Sequence, residues 1–83
     1  MEKKTYQLVA DDYTTTTFVR GRISGMIYVL TGQPEKDYGW TKAPGDVHWI
    51  TRFIADAEQY KAVIDCVEKK YPNTILHVKE VER

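Results

Sequence analysis

The sequence predicts a two-layer α+β domain. Three observations carry that expectation: a strand–helix–strand pattern over residues 47–81, a helical stripe of apolar residues within 14–31, and strand-like stretches at 5–10 and 38–42. In the C-terminal half, Val47, Trp49, Thr51 and Phe53 alternate with His48, Ile50, Arg52 and Ile54, the period of two that suits a strand. Asp56 then opens a run in which Tyr60, Val63, Ile64, Val67 and Tyr71 share one helical stripe. Glu58, Lys61, Asp65, Glu68 and Lys69 turn to water. Asp56 and Gln59 have the spacing of a capping box, and Pro72 stops the helix after Tyr71. Residues 74–81, rich in β-branched and aliphatic side chains, read as a strand again.

In the N-terminal half, residues 5–10 read as a strand that turns at Asp11-Asp12. Over 14–31 the signals conflict. Val19, Ile23, Met26, Ile27 and Leu30 form an apolar helical face, with Gly32 as its stop and Pro34 beyond. Against a helix, the threonines at 14–17, Val19, Ile23, Tyr28 and Val29 prefer strands, and Gly21 and Gly25 each cost about 1 kcal/mol in a helix interior. Strict periodicity favours the helix. The opposing reading is a strand over 14–22, a glycine-bounded turn, and a second strand or short helix over 26–30.

Residues 33–45 are loop-like, with a short strand at 38–42. A hairpin centred on Pro44-Gly45 sets Trp40 opposite Trp49 and Lys42 opposite Val47, a register that a cross-strand tryptophan pair would favour. The resulting order, strand, helix, strand, strand, helix, strand, is the βαββαβ plan of the ferredoxin-like two-layer sandwich. The alternative is a four- to five-stranded antiparallel sheet with a single helix, residues 56–71, packed across it.

The 83 residues make a single domain, 1–83, near the lower size limit for a core without staples. Twelve acidic and twelve basic side chains cancel, which argues against nucleic-acid binding. No apolar run reaches the length of a membrane span, and the charged start gives no sign of a signal peptide. Cys66 is the only cysteine, so an intramolecular disulfide is excluded and a cytoplasmic setting is expected. On the flank of its helix it reads as a half-buried structural thiol.

No P-loop, cysteine cluster or Ser–His–Asp order is present, so no catalytic residues are assigned and no enzyme, metal or cofactor is expected. His48 and His77, even beside Asp46 or Glu80, lack ligand spacing and read as solvated or structurally bonded. Asp11 and Asp12 read as turn formers. Arg20, Gly21, Arg22, Ser24 and Gly25 form the candidate ligand site, because guanidinium forks match phosphate and carboxylate geometry. Tyr38, Trp40 and Trp49 form the candidate interaction surface. With Phe53 they make either an exposed aromatic platform on the sheet or, the preferred reading, core beneath the helices.

The segment from Phe18 through Arg20-Gly21-Arg22 to Gly25 resembles the phosphate-binding loop of acylphosphatases, small ferredoxin-like enzymes whose first strand runs into a Gly-Arg-Val-Gln-Gly turn. Gly39-Trp40-Thr41-Lys42, followed by Gly45-Asp46-Val47, is similar to two further segments of that family. The resemblance implies a first strand over 14–23. It also implies that the family's catalytic arginine and asparagine positions fall on Val29 and Ala43, so the activity is not expected here.

These readings give a small non-enzymatic binding protein that docks on a larger protein and modulates or inhibits it, in the manner of virus- or mobile-element-encoded modulators. The alternative is a small-ligand binder for a nucleotide or another phosphate-bearing anion, and an acylphosphatase-like hydrolase comes third. No membrane partner is expected. A homodimer is compatible with either binding reading, since a two-layer sandwich leaves a sheet edge and one sheet face to cover.

Overall fold

The computed structural model describes residues 2–42 and 48–80, the last five of these through their backbone. Alternation builds the centre of the sheet. In β1 (Lys4–Ala10), Tyr6, Leu8 and Ala10 are buried while Thr5, Gln7 and Val9 face the other way. β3 (Trp49–Ala55) buries Thr51, Phe53 and Ala55 in the same manner. The two strands are antiparallel neighbours, with Tyr6 opposite Phe53 and Leu8 opposite Thr51, so their buried side chains share one face. β2 (Trp40–Lys42) lies outside β3 and β4 (Ile75–Glu80) outside β1, both antiparallel. Among the described residues the order across the sheet is therefore β2-β3-β1-β4.

The contested segment is a helix, α1 (Thr17–Thr31). Its start is set by hydrogen bonds from short polar side chains. The Asp11 carboxylate accepts from the Thr14 amide at 3.0 Å and the Thr14 hydroxyl at 3.1 Å, and the Thr16 hydroxyl caps the helix by accepting from Val19 N at 3.2 Å. Its end is set by Gly32, whose φ of +79° is the left-handed conformation open to glycine, and whose amide donates to Tyr28 O at 2.8 Å. The expected strands over 14–22, 14–23 and 26–30 are thereby corrected, and with them the sheet carrying a single helix. Complete burial of Ile23 and Ile27 outweighs the strand preference of the threonines and the cost of two glycines.

α2 (Ala57–Lys70) carries the expected capping box. The Asp56 carboxylate accepts from Gln59 N at 2.8 Å, and the Gln59 side chain accepts from Asp56 N at 3.0 Å. Val63 and Val67 are fully buried and join Ile23, Ile27, Leu8, Phe53, Ala55 and Tyr6 in one core between the sheet and the two helices. The Tyr6 ring stacks on Tyr60 with centroids 4.2 Å apart, joining β1 to α2. The chain is thus a small α+β domain of one antiparallel sheet and two helices, none of which, among the described residues, is long and apolar enough to cross a membrane.

One register expectation fails. Trp40 pairs with Thr51, and Trp49 pairs with Lys42, a slip of two residues from the predicted tryptophan pairing. The Thr51 hydroxyl donates to Gly39 O at 2.6 Å, anchoring the start of β2 two residues further along β3 than a tight hairpin would. Pro44-Gly45, where that hairpin was centred, and the neighbouring Ala43, Asp46 and Val47 lie outside the described residues.

Candidate functional site

The five residues singled out as a ligand site all lie on α1, but helical geometry separates their side chains. Arg20 and Arg22 are two positions apart, so they project from different sides of the helix. Arg20 turns inward. Its guanidinium carbon lies 3.6 Å from the Trp49 ring centroid, Nη1 donates to Thr15 O at 2.7 Å, and Nη2 donates to the Thr17 hydroxyl at 3.0 Å. Arg22 turns outward over the Phe18 ring, at 5.6 Å. The two guanidinium groups do not converge on one anion.

Trp49 is half-buried where the sheet meets the start of α1. Its indole N–H donates to Asp12 Oδ1 at 2.9 Å, and the same oxygen lies 3.2 Å from Lys42 Nζ. Trp40, also half-buried, donates its indole N–H to the Ser24 hydroxyl at 2.9 Å, and the Tyr38 hydroxyl donates to Ser24 O at 3.4 Å. Burial raises the Tyr38 pKa; the Ser24 contact opposes the rise and the negative charge of Glu35 adds to it. Trp40, Trp49 and the fully buried Phe53 therefore belong to the helix side of the sheet, with both indole N–H groups satisfied internally, and make no platform on its uncovered side. Among the described residues no three His, Cys, Asp or Glu side chains gather into a metal site.

What remains open is the outer face of α1. Gly21 and Gly25 run along its crest with a groove on either flank. The groove toward α2, about 390 Å³, is lined by Arg22, Met26, Val29 and Leu30 and reaches the half-buried Cys66. The other, about 460 Å³, is lined by Ser24, Tyr28, Pro34, Glu35 and Lys36. Phe18, Tyr28 and Val29 are 67%, 55% and 80% exposed. A Cβ added at Gly21 or Gly25 would meet nothing within 4 Å, so packing inside the chain requires neither glycine. Gly21, Arg22 and Gly25 are thus brought to one surface, whereas Ser24 is buried beneath Trp40 and Arg20 turns inward.

Sequence reasoning missed Phe18, Tyr28 and Val29 as a unit. The signal was present: α1 has no acidic residue and two charged ones, both arginine, and carries apolar residues on the side opposite Val19, Ile23 and Ile27. Compared with known proteins, the chain matches no family model, no curated protein and no solved structure.

Proposed function

We propose that this chain is a small non-enzymatic binding protein that docks on a larger protein and modulates it, with the outer face of α1 as its contact surface. One observation carries the reading. Phe18, Tyr28 and Val29 stand in solvent on a helix whose opposite side is already buried, and large apolar side chains gathered on one exposed helix face call for cover. Large apolar side chains around a small-residue crest suit apolar contact with a protein surface better than an anion. An anion-binding role draws less support, since the Arg20 guanidinium is committed to Trp49 and Thr15.

The same proposal places the domain with the ferredoxin-like βαββαβ sandwiches. Its support is the element order and a strand order with β1 and β3 at the centre. A lone cysteine and balanced charge accord with a cytoplasmic setting.

The test compares capture by the immobilised chain with capture by Phe18→Asp and Val29→Asp. Both positions are exposed, so both variants are expected to fold with unchanged circular dichroism. A target retained by the wild type and lost from both variants is the expected result. Retention that neither substitution alters would remove α1 from the reading.

A further inference from the structure

We infer that the groove between α1 and α2 binds a single-chain anionic amphiphile, a medium-chain fatty carboxylate, with its carboxylate at Arg22 and its chain running toward Leu30. The inference is independent of the docking reading, since Phe18 and Tyr28 lie outside this groove.

Shape and lining set the class of ligand. The groove holds about 390 Å³, within the range of small-molecule sites and near its lower end. Its walls are Met26, Val29 and Leu30 from α1 and the half-buried Cys66 from α2. Gly21 and Gly25 also line it, and a Cβ at either would meet nothing within 4 Å, so the space beside the helix backbone is open to a ligand. From Arg22 to Leu30 the helix rises ~12 Å. That length and volume suit one extended hydrocarbon chain of moderate length, whose burial against these walls drives its entry.

Charge sets the head group and its end of the groove. Among the described residues Arg22 is the one charged lining residue, and no carboxylate shares the groove with it. α1 holds no acidic residue, and Arg22 forms no ion pair among the described residues. Its guanidinium reaches back over Phe18, at 5.6 Å, so it stands at the N-terminal end of the apolar walls. A guanidinium fork takes a carboxylate through two parallel hydrogen bonds. The start of α1 and the end of α2 lie at the same end of the domain, where Asp11 N donates to Thr74 O at 2.9 Å. Toward that end, Lys69 and Lys70 continue the face of Cys66 at helical spacing, whereas Asp65 and Glu68 lie off it. Positive charge thus gathers at the Arg22 end, and the Leu30 end is apolar.

Cys66 is the only cysteine and lines the groove, so its alkylation reports occupancy of this site. The test follows modification of the full chain by N-ethylmaleimide with mass spectrometry, while decanoate is titrated below its micelle concentration. Each rate is compared with that of the same protein free of ligand. Decanoate is expected to slow the reaction several-fold and saturably. Decyltrimethylammonium, with the same chain and the opposite charge, is expected to leave it unchanged. Arg22→Met keeps an apolar stem without the charge and should weaken decanoate about tenfold. Gly25→Leu fills open space, so it should abolish protection while circular dichroism stays unchanged. Absence of saturable protection overturns the inference. So does equal protection by the cationic amphiphile, or protection that survives both substitutions.

Discussion

The Tyr38 hydroxyl lies half-buried against Ser24, and its burial favours the neutral phenol over the phenolate. The folded protein therefore holds this proton more tightly than the unfolded chain, whose tyrosines ionise near pH ~10. Below that value the contribution to stability is fully present. As pH rises past it and through the higher folded pKa, the contribution is lost, because unfolding then releases the proton. Tyr38→Phe cannot ionise, so it should keep more of its stability than the wild type in that alkaline window. Urea unfolding at neutral and alkaline pH reads the difference, and an equal decline in both proteins would assign the alkaline sensitivity to other tyrosines. Arg20 makes the complementary point about residues. Its guanidinium is drawn onto Trp49, a residue on another element, and a long-range stack of that kind leaves no periodic trace in the sequence. The candidate anion site paired Arg20 with Arg22 because they are close in sequence, whereas a helix sends them to different sides.

α2 was legible down to its cap because every local signal agrees there: Asp56 and Gln59 at capping-box spacing, one apolar stripe, and Pro72 beyond the last turn. β1, β3 and the short β2 followed from alternation and punctuation. α1 was the hard element because propensity and periodicity oppose each other along it, and packing of Ile23 and Ile27 decides the outcome. Its threonines, read as strand formers, serve instead as the Asp11-bonded turn and the Thr16 cap. The β2–β3 register was illegible because it depends on Thr51 bonding to Gly39 O, not on which aromatic residues attract each other. The glycines of α1 then yield a prediction about the helix itself. Gly25 has helical backbone and empty space where a Cβ would stand. Gly25→Ala should therefore stabilise the chain by about 1 kcal/mol. A thermal melt showing loss of stability would mean that the position is already enclosed.

Because one layer of helices covers one face of the sheet, neighbouring residues of β3 live in different solvents. Phe53 is fully buried between Tyr6 and the helices, while Ile54 remains 46% exposed on the other face. The exposed side of the sheet is also partly blunted at its edge: the Ile54 amide, beyond the end of the short β2, donates to the Gln33 side chain at 2.6 Å instead of to another strand. That bond gives a reason for Gln33 to follow Gly32. The contrast within β3 can be measured. An 83-residue domain lies at the low end of the usual stability range, on the order of 5 kcal/mol, and truncating a buried phenylalanine costs about 3–5 kcal/mol. Phe53→Ala should therefore leave much of the population unfolded, with near-ultraviolet circular dichroism lost at ambient temperature. Ile54→Ala, which removes methyl groups already half in water and keeps the amide bonded to Gln33, should cost about 1 kcal/mol or less. Comparable losses at the two positions would require the sheet's second face to be covered, and a concentration dependence of the Ile54→Ala melt would identify the cover as another copy of the chain.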